Sequence, residues 1–290
     1  MSPLLLRKKE KGITSFSTAV KCNPDPYILR LLAALGTGFD CASNGEISKV
    51  LELGNVHPSR IIFANPCKAV SFVRNAARAG VDMMTFDNAD ELYKIARSFP
   101  RAQLVLRILT DDSKSLCRLG LKFGAPLSTV PGLLSLARSL HLDVIGISFH
   151  VGSGSYDLNA FADAIQRARS AFDMGREAGY SFKLLDVGGG FEDETFEAYA
   201  KVLWRAIEQY FPKREEEGLK IIAEPGRFYV SKAFHLAANI IARRAPFGEN
   251  TNESSTAVDE NNDTETPRVM CMYLILLFFS RSGVFRNNFD

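Results

Sequence analysis

Lys21 follows the run Phe16-Ser17-Thr18-Ala19-Val20 and precedes Cys22-Asn23-Pro24. A strand-like run ending in lysine puts one amine at the mouth of whatever the strand builds. Three other segments carry complementary groups. Phe149-His150-Val151-Gly152-Ser153-Gly154 offers an imidazole and a hydroxyl. Asp186-Val187-Gly188-Gly189-Gly190-Phe191 offers unhindered backbone N–H groups, and Glu224-Pro225-Gly226-Arg227 offers a carboxylate and a guanidinium. A carbonyl-reactive amine, a flat ring, a phosphate cradle and a carboxylate are the set that pyridoxal phosphate chemistry needs.

Each group also has a plainer explanation. A lysine at a strand end is usually just solvated. In a barrel mouth, partial desolvation lowers its pKa and favours the neutral nucleophile that forms a Schiff base. A lone triple glycine is usually a tight turn. Here Gly188, Gly189 and Gly190 let N–H groups approach a phosphate without side-chain clash. Ser153 adds a hydroxyl donor, and Gly226 and Arg227 add another N–H and a charge. A lone His150 reads as a satisfied core histidine, but at a strand end its ring can stack on a cofactor ring. Pro225 holds Glu224 extended, so its carboxylate can face a pyridine nitrogen and keep it protonated. The plain alternative for Glu224 is a salt bridge. Asp40 and Arg107 read as an ion pair across the same mouth, serving structure or site.

Eight short runs rich in Val, Ile, Leu, Met or Phe must position these groups: 18–21, 38–41, 61–64, 83–86, 104–108, 144–150, 183–187 and 220–223. Such composition suits strands buried on both faces. Apolar residues at three- and four-residue spacing predict helices over 28–35, 44–53, 69–79, 89–98, 130–140, 158–178 and 196–210. Ser43 or Asn44 can cap the second of these. The alternation predicts an α/β fold with a parallel (β/α)8 barrel, and a doubly wound open sheet is the alternative. Barrel enzymes carry their chemistry at the carboxyl ends of strands. The residues at those ends are Lys21, Asp40, Asn65, Asp87, Arg107, His150, Gly188 to Gly190 and Glu224.

The chain has 290 residues, 46% apolar and 23% charged, with a net charge of +2. That is an ordinary globular composition with no argument for nucleic acid or membrane partners. Five cysteines without a C-x-x-C pair read as reduced thiols of a cytoplasmic protein, with neither disulfides nor a metal site. Leu4-Leu5-Leu6 is too short a run for a signal peptide, and the apolar run 270–279 is too short to span a bilayer. Four regions are expected: an atypical segment 1–15, a cofactor-binding barrel 16–244, an acidic disordered loop 245–267, and a β remnant 268–290.

Dense stretches carry a resemblance. They are Ala19-Val20-Lys21-Cys22-Asn23, Gly36 to Ser43, Ala64-Asn65-Pro66-Cys67-Lys68, Met84-Thr85-Phe86-Asp87, Leu106-Arg107-Ile108, Asp111-Asp112-Ser113-Lys114, and the three segments above. Together they resemble the eukaryotic ornithine decarboxylases, within the fold-type III decarboxylases that use pyridoxal 5'-phosphate. The resemblance implies catalytic roles for Lys21, His150 and Glu224. It implies cofactor contacts for Asp40, Arg107, Ser153, Gly188, Gly189, Gly190, Pro225, Gly226 and Arg227, and a substrate contact for Glu46. It further implies decarboxylation of L-ornithine to putrescine in polyamine biosynthesis, a homodimer, and antizyme as a partner near 68–98. Alternatives are a decarboxylase of lysine, arginine or diaminopimelate, and an inactive antizyme-binding regulator.

The departures from that pattern lie at the ends. Residues 1–15 do not resemble the family's amino-terminal β-domain segment. The family's late Trp-Gly-Pro-x-Cys-Asp segment and its late phosphate-binding Tyr are missing, and Trp204 is the only Trp. The expectation is a chain truncated at both ends, with impaired activity.

Overall fold

The computed structural model describes residues 15–234 and the backbone of four strands beyond them. Eight parallel strands close into a barrel. They are β1 (Ser15–Ala19), β2 (Gly38–Cys41), β3 (Ile61–Phe63), β4 (Met83–Phe86), β5 (Gln103–Arg107), β7 (Asp143–Ser148), β9 (Leu184–Asp186) and β10 (Lys220–Ala223). Each pairs with the next in that order, and β10 pairs back with β1. The expected (β/α)8 barrel is therefore present. One addition was not expected: β6 (Ser115–Cys117) and β8 (Ser153–Ser155) form an antiparallel ribbon outside the barrel.

Helices return the chain between strands: α1 (Pro26–Ala34), α2 (Asn44–Leu51), α3 (Val70–Arg78), α4 (Ala89–Ser98), α5 (Val130–Ser139), α6 (Ala160–Glu177) and α7 (Phe196–Tyr210). A short α8 (Arg227–Val230) follows β10. Local chemistry sets several starts. Asp25 caps α1 by accepting the Tyr27 N–H at 2.8 Å, with Pro26 in the first helical position. Asn88 caps α4 by accepting the Glu91 N–H at 2.9 Å.

The apolar material divides as strand alternation requires. Phe39, Phe63, Met84, Phe86, Leu104 and Leu106 belong to one large cluster with Val50, Val73, Leu92 and Ile95 of the helices. Ile62, Val105, Leu184 and Ile222 form a separate small cluster from the opposite strand face, which fills the barrel interior. No helix among the described residues is long and apolar enough to cross a membrane.

A second compact unit covers residues 230–290. In it β11 (Ala237–Arg243) pairs antiparallel with β12 (Met270–Ile275), and β13 (Phe278–Ser280) with β14 (Gly283–Phe285). Of the segment expected as an atypical start (1–15), residues 1–14 lie outside the described residues and Ser15 opens β1; the expected acidic loop (245–267) also lies outside them.

Candidate active site

β1 stops at Ala19, two residues earlier than expected. Val20–Cys22 form a single 3-10 turn, closed by the Asn23 N–H to the Val20 carbonyl at 3.1 Å. Lys21 therefore sits on a turn above the strand end. Its Nζ donates to Asp40 Oδ2 at 2.9 Å, reaching across to the neighbouring β2. The Lys21 side chain is about half exposed, while Asp40 is buried. The Asp40 carboxylate raises the Lys21 pKa, and this outweighs the lowering by burial; Glu224 adds to the rise. The expected desolvated, neutral lysine is thus corrected: in the free chain the partner charge wins and Lys21 is an ammonium ion.

The expected Asp40–Arg107 bridge is corrected as well, because Asp40 takes Lys21 instead. Arg107, at the end of β5, lies over the Phe123 ring at 5.1 Å. Burial lowers its pKa, and the charges of Glu224, then Asp87, Asp40 and Asp186, partly offset this.

His150 follows the end of β7. Its Nδ1 accepts the Gly152 N–H at 3.0 Å, and Thr110 Oγ1 donates to its carbonyl at 2.9 Å. Burial, then Arg107 and Lys21, pushes its pKa well below the ordinary 6.5. The ring is neutral, and since Nδ1 accepts, its proton is on Nε2. A neutral flat ring at this place suits stacking better than acid–base exchange.

Asp186 ends β9, and Glu224 follows the last residue of the adjacent β10. Asp186 Oδ1 accepts the Gly188 N–H at 2.9 Å. Each of the two carboxyls affects the other's protonation. Burial raises both pKa values, and the charge of Asp186 raises that of Glu224 further. Glu224 Oε1 and Asp40 Oδ1 remain buried without a hydrogen-bond partner. Such orphaned acceptors are costly unless a ligand donor meets them. Glu224 borders a small cavity lined also by Ala64, Thr85, Arg107, Ser148, Phe149, His150 and Asp186.

The glycines fit a cradle. Gly188 and Gly190 have φ of +66° and +97°. A Cβ on Gly189 would lie 2.7 Å from the Glu224 carbonyl and 3.0 Å from His150 Nε2. A Cβ on Gly190 would lie 2.7 Å from the Gly152 carbonyl, so this loop abuts the one that carries Ser153. Ser153 itself opens β8. A Cβ on Gly226 would lie 3.0 Å from Cys22 Cβ, which brings the Glu224-Pro225-Gly226-Arg227 turn against the Lys21 turn. The Ala19 N–H to the Pro225 carbonyl at 3.4 Å ties the same two segments. Lys21, Asp40, Arg107, His150, Gly188 to Gly190, Glu224 and Gly226 thus surround one mouth.

Glu46 is held by local backbone contacts. Its Oε2 accepts the Ala42 N–H at 2.8 Å, while Ser43 Oγ accepts the Glu46 N–H at 3.3 Å. This is a reciprocal capping box that starts α2. The residue that sequence reasoning missed is Asp186. Its signal was available: a carboxylate at a strand end immediately before the three glycines.

A pyridine nitrogen that carries a proton would satisfy Glu224 Oε1, and a phosphate would be met by the glycine N–H groups and Arg227. The residues present fit pyridoxal phosphate. Comparison with known proteins agrees. The chain is 57% identical over 226 residues to the ornithine decarboxylase of Schizosaccharomyces pombe, covering 78% of this chain and 51% of that one. It is 52% identical over 251 residues to antizyme inhibitor 2 of Xenopus laevis, covering 85% of this chain and 53% of that one. The chain spans about half the length of these curated relatives. Among solved structures, the arginine decarboxylase of Paramecium bursaria Chlorella virus superposes with a TM-score of 0.74 at 38% identity, covering 84% of this chain and 66% of that one. Residues 8–231 match the pyridoxal-binding domain of the pyridoxal-dependent decarboxylases, and the chain belongs to that family.

Proposed function

We propose that the protein takes part in the pyridoxal phosphate-dependent decarboxylation of L-ornithine to putrescine, in the cytoplasm. The observation that carries this reading is the buried Glu224–Asp186 pair, with an orphaned Glu224 oxygen aimed into the same cavity that Arg107 and His150 line. When bound, the cofactor supplies an electron sink for the pair released as carbon dioxide departs. Each residue of the chain then has a task. Lys21 presents the carbonyl-reactive amine, and Asp40 holds that amine in place and takes up its positive charge. Glu224, with Asp186 beside it, offers the carboxylate that a protonated ring nitrogen would meet. His150 offers the flat face of a neutral ring. The N–H groups of Gly188 to Gly190, with Ser153, Gly226 and Arg227, would hold the phosphate, and Pro225 keeps Glu224 extended.

Ornithine is favoured over lysine or arginine by the identity to the fission yeast enzyme, which exceeds that to the viral arginine decarboxylase. A regulatory reading, in which the surface near 68–98 meets antizyme, draws on the 52% identity to antizyme inhibitor 2. The presence of Lys21, His150 and Glu224 together favours the enzyme.

The test is release of labelled carbon dioxide from carboxyl-labelled ornithine, lysine and arginine by cofactor-loaded protein, with Lys21→Ala as control. Release from ornithine above the other two, absent in the control, is expected. Equal or greater release from lysine or arginine would overturn the substrate assignment.

A further inference from the structure

Arg227 is committed to a carboxylate. Its Nη1 lies 3.1 Å from Glu192 Oε1. Glu192 stands two residues beyond Gly190, on the lip of the glycine cradle. An acidic side chain there opposes the binding of a phosphate, and two more, Asp193 and Glu194, follow it.

The pairing is built in, because aromatic packing fixes both partners. Phe191, next to Glu192, stacks on Phe161 with centroids 5.0 Å apart and meets Phe196 at 5.9 Å. Phe228, next to Arg227, meets the same Phe196 ring at 4.7 Å. One ring thus holds the two neighbours in register and the ion pair between them. Both charged side chains remain more than a third exposed, so an anion from solvent can reach them.

We propose that Glu192 is an internal counter-anion that competes with the cofactor's phosphate for Arg227 and so sets cofactor affinity. This rests on the reading of Arg227 as a phosphate ligand. The guanidinium is largely neutralised while Glu192 faces it, and a phosphate dianion arriving beside that carboxylate is repelled. Glu192 must turn away or share the guanidinium before the phosphate is held in full. The cradle then binds only anions strong enough to outcompete an internal carboxylate, which favours a phosphate dianion over monoanions.

The experiment measures Kd by fluorescence titration with pyridoxal phosphate and with pyridoxal, which lacks the phosphate. Glu192→Gln keeps the shape and removes the charge. It is expected to lower the Kd for pyridoxal phosphate by roughly threefold, the scale of a partly exposed ion pair. The Kd for pyridoxal should not change, and the gain should shrink as salt is raised. In an Arg227→Ala background the gain from Glu192→Gln should be smaller, because only the repulsion between Glu192 and the phosphate is left to remove. An unchanged or higher Kd for pyridoxal phosphate in Glu192→Gln, with Arg227→Ala still weakening binding, would overturn the competition alone. An Arg227→Ala protein that binds pyridoxal phosphate as well as the parent would overturn the phosphate role of Arg227 and the inference with it.

Discussion

Lys68 supports the site from behind, and Lys68→Met should expose how much. The side chain is fully buried at the carboxyl end of β3. Its Nζ lies 2.8 Å from the buried Glu91 Oε1. The same ammonium donates to the Asn65 carbonyl at 3.0 Å and the Thr85 carbonyl at 2.6 Å. It therefore ties the ends of β3 and β4 together, just where Ala64 and Thr85 line the cavity. Met replaces the methylene stem but leaves two carbonyls without their donor and a buried carboxylate short of one cation. Removing one partner of a buried pair usually costs about 3–5 kcal/mol. Here Lys94 still reaches Glu91 Oε2 at 2.5 Å, so the low end applies, about 3 kcal/mol. In a domain of this size that corresponds to roughly 6–12 °C in Tm. Urea unfolding followed by circular dichroism measures it, with the double variant Lys68→Met/Glu91→Met completing a cycle. The double variant should lose less than the sum of the two singles. A loss below about 1 kcal/mol for Lys68→Met would refute the claim that this ammonium braces the strand ends.

Three further outcomes are expected. Asp40→Asn removes the main cause of the raised Lys21 pKa, so the half-maximal rate of reaction with pyridoxal should move to lower pH by at least roughly one unit; an unmoved pH profile would contradict the ion-pair assignment. Glu224 and Asp186 have folded pKa values raised above their ordinary 4.5 and 3.8. A raised pKa means the folded protein holds a proton that the unfolded chain has released, so this contribution is full below those values and is lost as pH rises through the folded pKa. Stability of the cofactor-free chain should accordingly fall from pH 5 upward, and Glu224→Gln should flatten that slope in urea titrations. Gly189→Ala puts a methyl 2.7 Å from the Glu224 carbonyl and 3.0 Å from His150 Nε2; pyridoxal phosphate affinity should drop by tenfold or more, about 1.4 kcal/mol, with unchanged affinity arguing against the cradle.

The barrel was legible because its strands are buried on both faces and read as short continuous apolar runs. Met83–Phe86 and Lys220–Ala223 were bounded to the residue. Strand ends were less clear where polar chemistry takes over from periodicity. Lys21 looked like the last residue of a strand, because nothing in Val20-Lys21-Cys22 announces a 3-10 turn. The β6–β8 ribbon was invisible, since three-residue strands such as Ser153–Ser155 lack any period. The site was legible as a set of strand-end residues, and its electrostatics were not. A lysine's pKa depends on which carboxylate its Nζ reaches, and Asp40, nineteen residues away, is next to Lys21 only because β1 and β2 pair. Glu46 shows the converse: the Ser43-x-x-Glu46 spacing is a local signal for a helix cap, and the structure forms that cap.

The measurement that bears most directly on the central claim is covalent mapping of the cofactor. The protein is incubated with pyridoxal phosphate, reduced with borohydride, digested, and its labelled peptide sequenced. The account predicts the label on Lys21, at the turn that faces Asp40 and the glycine cradle, and its loss in Lys21→Ala. A label on Lys68 or Lys122, with none on Lys21, would contradict the assignment of this barrel mouth as a pyridoxal phosphate site.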